Sequence, residues 1–282
     1  MATFQLPEPL DINVLLAEDE PSYDWLIPDI MERGDRLILT GNEGKGKSTL
    51  LRQLAVQTAL GVHPFTLQEM PSRRVLLIDL ENPRRSVRRK LMEIARTHQV
   101  PDDRLLVARW PAGLDLTHVA EREAMSDLLA RLWPELLIIG PMYKLAQHLD
   151  KEDSSAEIAS VLDQWRAIFN FALIMESHQP HQTVVDGQRY RPERPFGSSL
   201  WMRWPEFGIC LEDRGMLRHW RGPREERAWP EKLYRGEEWP WMVEARSCLH
   251  CGQPLTGAQE RYCSEKCGNA ARVAKHRALN KV

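Results

Sequence analysis

The sequence predicts an α/β protein: a mostly parallel, twisted sheet flanked by helices, followed by a small C-terminal module built around cysteines. Three observations predict it. Short apolar runs alternate with helical patterns along most of the chain, the order from which parallel sheets with crossover helices are built. The first strong run passes through a glycine-rich turn straight into a helix, Arg36-Leu-Ile-Leu-Thr-Gly41-Asn-Glu-Gly44-Lys-Gly46-Lys47-Ser48-Thr49. Four of the five cysteines crowd into Cys248–Cys267.

Taken in order, strands are read at 36–40, 75–80, 105–109, 136–140 and 171–176, and helices near 48–60, 84–97, 118–132 and 155–169. Two more strands, near 207–211 and 216–220, flank the turn Glu212-Asp-Arg-Gly215. That hairpin is expected to extend the sheet. Segment 179–199 has no period and reads as a long polar loop. From 222 to 247 Pro, Trp and charges alternate without periodicity, which reads as a linker. The expected organisation is therefore an acidic N-terminal segment at 1–22, a core at 23–221, a linker at 222–247 and a cysteine module at 248–282.

At 282 residues the chain holds one large domain plus a small module. A formal charge of -2 excludes a uniformly basic nucleic-acid binder but leaves room for local patches. Residues 1–35 carry nine carboxylates and one base, Arg33, whereas the tail after Glu265 carries Lys266, Arg272, Lys275, Arg277 and Lys281 and no acid. No apolar run approaches the roughly 18 residues of a membrane span, and the start lacks a secretory core, so a cytoplasmic protein without membrane contact is expected. Cys210, alone in an apolar run, is expected as a small buried core residue.

Gly41, Gly46, Lys47 and Ser48 fit the pattern G-x4-G-K-[ST]. Glycines let backbone N–H groups wrap closely around phosphates, and the helix start adds positive potential. The whole turn, with Asn42, Glu43, Gly44, Lys45 and Thr49, is the candidate cradle for ATP. Lys47 would reach the β- and γ-phosphates, and the Ser48 hydroxyl would hold Mg²⁺. A second candidate lies at the end of Val75-Leu-Leu-Ile-Asp79-Leu-Glu81-Asn82-Pro83. Ligands of open parallel sheets bind at strand carboxyl ends, so Glu81 could polarise an attacking water. Equally, Glu81 and Asn82 could simply complement the following helix.

The last motif is Cys248-Leu-His-Cys251 and Cys263-Ser-Glu-Lys-Cys267, two short cysteine pairs with eleven residues between them. The spacing fits a tetrahedral structural zinc site with four thiolates, and it resembles treble-clef or zinc-ribbon knuckles. His250 reads as a bystander. The helix expected at 269–279 carries Arg272, Lys275, His276 and Arg277, which suit a phosphate backbone.

Over about 23–221 the chain resembles the RecA-like ATPases, in particular the plasmid RepA-type hexameric helicases and the DnaB-type helicase core. The resemblance rests on Tyr23-Asp-Trp25-Leu-Ile-Pro28, the phosphate loop, and Ile78-Asp-Leu-Glu81-Asn-Pro83. It implies that Glu81 is the catalytic base. It implies His178, in Phe171-Ala-Leu-Ile-Met-Glu176-Ser177-His178, as a γ-phosphate sensor. Arg221, or else Arg224, would complete a neighbouring subunit's site. Lys144 and Lys151, and Arg189, Tyr190, Arg191 and Arg194, fall in loops that would line a central pore around single-stranded DNA. One position departs from the pattern: the strand Pro134-Glu-Leu-Leu-Ile-Ile-Gly140 ends in glycine where the family carries a metal-side aspartate. Asp79 and Glu176 also end apolar runs and are the candidate substitutes. The resemblance implies an ATP-hydrolysing ring, a hexameric DNA helicase or replication ATPase of phage or plasmid type, with replication proteins as further partners. A non-hydrolysing nucleotide-dependent scaffold, a zinc-dependent DNA-binding regulator controlled by ATP, and a recombination ATPase stay open.

Overall fold

Alternating side-chain placement along each central strand builds two cores on one sheet. In the computed structural model, Ile38, Leu76, Ile78, Leu137, Ile139, Leu173 and Met175 point to one face, and Leu37, Leu39, Val75, Leu77, Leu136, Ile138 and Ile174 to the other. Strands buried on both faces read as continuous apolar runs, which is why these segments were visible in the sequence. The structure describes residues 9–19, 23–96, 98–180, 183–185, 188–190, 192, 194–222, 227–243, 248, 250, 251, 253 and 262–279.

Helix α1 (Ile12–Ala17), capped by Asp11, precedes the short antiparallel pair β1 (Trp25–Ile27) and β2 (Met31–Glu32). Then come β3 (Arg36–Thr40), α2 (Lys47–Leu60), β4 (Val75–Asp79), α3 (Arg84–Ala95), β5 (Leu105–Arg109), α4 (Val119–Leu132), β6 (Leu136–Gly140), α5 (Glu152–Phe169) and β7 (Ala172–Glu176). A small hairpin, β8 (Thr183–Val185) and β9 (Gln188–Tyr190), precedes β10 (Phe207–Leu211) and β11 (Leu217–Arg221). The main sheet has seven strands in the order β11-β10-β3-β7-β6-β4-β5. All its neighbours run parallel except β10 and β11. The expected fold class is what the structure shows. No helix among the described residues is long and apolar enough to cross a membrane.

Two segments differ from expectation. The 179–199 stretch, read as irregular, contains the β8–β9 hairpin, with Thr183 opposite Tyr190. Within the 222–247 stretch, read as a linker, residues 227–243 pack onto the core. They form β12 (Tyr234–Arg235) and β13 (Trp241–Met242) and bury Trp229, Leu233, Trp239 and Trp241. The reason lies in α2, which is buried on nearly every side from Leu50 to Ala59. A helix apolar or satisfied all round must be covered all round. The sheet covers one side of it and the tryptophan-rich segment another. Gln53 makes the join specific: its amide donates to the Trp241 carbonyl at 2.7 Å and accepts from the Trp241 N–H at 2.8 Å. Helix α6 (Glu265–Leu279) closes the chain's described part.

Candidate nucleotide site

The turn between β3 and α2 lies at the carboxyl end of the parallel strands, where the P-loop motif requires it. Gly41 and Gly46 take φ of +149° and +95°, values that L side chains rarely adopt. Space is short as well. A Cβ on Gly46 would lie 2.9 Å from the Trp241 ring, and one on Gly41 would lie 2.5 Å from the Leu211 carbonyl oxygen. Lys47 is 3 % exposed, and its Nζ donates to the carbonyls of Gly41 at 2.8 Å and Asn42 at 3.1 Å. Burial lowers its pKa, against the opposing pull of Glu176, Cys210, Glu43 and Glu81. The amine is thus held inside the turn that a phosphate chain would fill. Lys45 pairs with Asp213 in the β10–β11 turn, which ties the phosphate loop to the far hairpin.

Glu81 follows β4 and stands exposed in the same cleft as Ser48, Asp79, Asn82, Gly140 and Glu176. The Tyr143 hydroxyl donates to Glu81 Oε1 at 3.1 Å. Burial and the Glu81 charge raise the Tyr143 pKa, so the phenol stays a donor at neutral pH. On the other side of Tyr143 lies His178, with ring centroids 5.7 Å apart. His178, Tyr143 and the Gly41–Glu43 stretch line a second cleft together. The His178 Nδ1 is buried with no hydrogen-bond partner among the described residues. The structure therefore brings Lys47, Ser48, Glu81 and His178 to one edge of the sheet, with Thr49 in the first turn of α2.

Of the two acids that could stand in for the missing aspartate, Asp79 is committed elsewhere. Its Oδ2 accepts from Arg52 at 2.9 Å, in a pair whose side chains are 4 % and 8 % exposed. Its Oδ1 accepts from the Glu81 N–H at 3.1 Å and the Asn82 N–H at 2.7 Å. Burial pushes the carboxyl up, but the Asn82 and Glu81 donors and Arg52 outweigh it and hold the pKa below its ordinary value. Asp79 shapes the loop that presents Glu81. Glu176 instead accepts from the Ser48 hydroxyl at 2.9 Å and lies 3.9 Å from the Lys47 amine.

Arg221 does not join these groups. It ends the edge strand β11 opposite Gly208, at the end of the sheet remote from the phosphate loop, and its Nε donates to the Pro205 carbonyl at 2.5 Å. Arg224 and Arg191 lie outside the described residues, as do the side chains of Arg189 and Tyr190. Lys144 packs over the Tyr143 ring at 5.7 Å, and Lys151 and Arg194 are exposed.

Cys248, Cys251, Cys263 and Cys267 meet, with their sulfur atoms all within 4.8 Å of one another. The Cys263 thiol is pushed up to about 12, chiefly by hydrogen bonds with Cys267 and Cys251. Four thiols this close cannot all ionise without a cation among them, so the donor set suits a thiophilic metal. The Ser48–Glu176 pair suits Mg²⁺, which takes oxygen ligands. Sequence reasoning missed Tyr143, Trp241 and Arg235. Arg235 stacks its guanidinium 3.7 Å from the Trp241 ring centroid, beside Gly46. The aromatic crowding at 229–241 was the available signal, since Trp229, Trp239 and Trp241 fall so close together and large aromatics rarely all face water.

Two comparisons relate this chain to known proteins. A family model described as an AAA domain matches residues 3–184. A crystal structure of a KaiC-like protein from the hyperthermophilic archaeon Pyrococcus horikoshii OT3 aligns with a TM-score of 0.49 at 16 % identity, covering 78 % of this chain and 94 % of that one.

Proposed function

The chain belongs to the AAA domain family, and from that premise we propose that it is a RecA-like motor that hydrolyses ATP, a ring-forming DNA helicase or replication ATPase of phage or plasmid type. The observation that carries the reading is the convergence of a buried Lys47, the Ser48 hydroxyl and a strand-end Glu81 on one cleft edge. In this reading Glu81 takes a proton from a water in line with the γ-phosphorus. The Tyr143 hydroxyl holds the carboxylate in place. Lys47, released from the Gly41 and Asn42 carbonyls, offsets charge on the β- and γ-phosphates, and the turn's N–H groups hold the rest. Mg²⁺ beside Ser48 would add charge stabilisation across the phosphate oxygens. Most of the rate then comes from positioning and electrostatics. His178, which lines a cleft with the phosphate loop, would read the γ-phosphate.

Assembly supplies the remaining parts. Arg221 sits far from its own phosphate loop, which agrees with a role at a neighbouring subunit's site in a hexamer. The Lys144, Lys151 and Arg194 side chains would face single-stranded DNA. The four cysteines would hold one structural zinc, and α6 with Lys266 and Arg272 would lie along a phosphate backbone.

The test is phosphate release with and without single-stranded DNA, with nucleotide binding measured separately. Glu81→Gln is expected to keep binding and to lose roughly 10²–10⁴-fold in turnover. Parent-like turnover in that variant removes Glu81 as base. A second reading, a nucleotide-dependent scaffold that does not hydrolyse, is favoured by Gly140. It prevails if the parent protein binds ATP and releases no phosphate. Turnover without strand displacement points to a regulator or recombination ATPase.

A further inference from the structure

We infer that Glu176, at the end of β7, is the metal-side acid of this site, one strand across from the glycine that ends β6. The inference rests on the nucleotide reading above and names the group that completes it.

The argument begins with strand neighbours. β6 and β7 are adjacent and parallel, with Ile139 level with Met175, so residues 140 and 176 end their strands side by side. β7 is also the direct neighbour of β3, with Glu176 level with Leu39, two residues before the phosphate loop begins. An acid on β7 is one strand nearer the loop than an acid on β6, about 4.8 Å.

Sterics link the two positions. A Cβ on Gly140 would lie 2.6 Å from the Glu176 Cβ and 3.2 Å from its backbone nitrogen. Real Cβ atoms do not approach so closely. Gly140 has no positive φ, so backbone conformation does not demand glycine there. The Cβ and backbone of residue 176 do, so a side chain at 176 leaves room only for glycine at 140.

Bonding agrees. The Glu176 carboxylate is 13 % exposed, bonds the Ser48 hydroxyl and lies near the Lys47 amine. It borders the cleft that also holds Ser48, Glu81 and Gly140. The rival acid, Asp79, is taken up by Arg52 and by the loop N–H groups. Among the described strand-end acids, Glu176 is the one bonded to the hydroxyl that the metal requires.

Binding of a fluorescent ATP analogue, followed in magnesium-free buffer and then across a magnesium titration, tests this without turnover. Parent protein is expected to bind the analogue in both conditions and more tightly with magnesium. Glu176→Gln, with one negative charge fewer beside the phosphates, should bind the magnesium-free analogue at least as tightly as the parent and need about 10–100-fold more magnesium for half-maximal tightening. Glu176→Asp, which keeps the charge on a shorter stem, should fall between them. Moving the acid back is the sharper test. Glu176→Gly should lose the magnesium response, and Glu176→Gly with Gly140→Asp should regain it, because removing the Glu176 Cβ relieves the closest contact and leaves a 3.2 Å approach to the residue 176 nitrogen that a shift of a few tenths of an ångström absorbs. A parent-like magnesium response in Glu176→Gln overturns the inference and leaves the nucleotide reading standing. So does a double variant that folds, binds nucleotide without magnesium and gains nothing from it. Failure of the parent to bind the analogue under either condition overturns the nucleotide reading itself.

Discussion

Replacing Asp79 with asparagine probes the buried pair that shapes the Glu81 loop. The amide side chain would keep an acceptor for the Glu81 and Asn82 N–H groups but turn an NH₂ toward Arg52, whose side chain is 4 % exposed. A buried guanidinium left without its carboxylate costs about 3–5 kcal/mol. For a chain of this size that is roughly 6–20 °C in Tm. Arg52→Met should cost less, because Asp79 retains the Asn82 and Glu81 donors. The double variant should be more stable than Asp79→Asn alone, since no unpaired charge remains. The pH dependence has a definite sign. Asp79 is held below its ordinary pKa of 3.8, so its contribution is complete above that value and is lost as pH falls through the lower folded value. The gap between parent and Asp79→Asn should be widest near neutrality and close below about pH 4. Urea unfolding of the four proteins at pH 7, with parent and Asp79→Asn repeated through the acid range, measures both effects. A cost below about 1 kcal/mol at pH 7, or a double variant weaker than Asp79→Asn, would refute the account of Arg52 as a buried charge dependent on Asp79.

Three further outcomes are expected. Lys47→Ala should lose nucleotide affinity and turnover together, because the amine contacts both ground state and transition state; unchanged affinity by calorimetry would remove it from the phosphate cradle. Tyr143→Phe should leave nucleotide affinity intact and slow turnover by about tenfold, the loss of one hydrogen bond to a carboxylate; an unchanged rate would make the Tyr143–Glu81 contact incidental. Metal analysis of protein purified under reducing conditions should find one zinc per chain, and Cys263→Ser should release it; a zinc-free parent protein would leave the four thiols without a metal.

Much of this protein was already determined by contiguous sequence. The strand runs at 36–40, 105–109 and 136–140 match the structure residue for residue, because strands packed into the sheet write an apolar run of their own length. The phosphate loop was legible because its glycines, lysine and serine act within one turn. The cysteine quartet was legible because its spacing is set by one metal-sized cluster. Glu81 was placed by the rule that sites gather at strand ends. Tertiary structure decided whatever depends on which strands become neighbours. Asp79 and Glu176 look alike in sequence, each an acid closing an apolar run. They separate only when α2 brings Arg52 to Asp79 and when β7 enters between β3 and β6, beside Ser48. Gly140 lies against Glu176, a neighbour that no stretch of sequence reveals. The 229–242 segment carries no period because it is held by single side chains, Trp229, Trp239 and Trp241, and by the Trp241 backbone, which meets the Gln53 amide 188 residues earlier. Local patterning records what each segment buries. The partner it buries against is recorded only in the packed chain, where distant side chains share one volume.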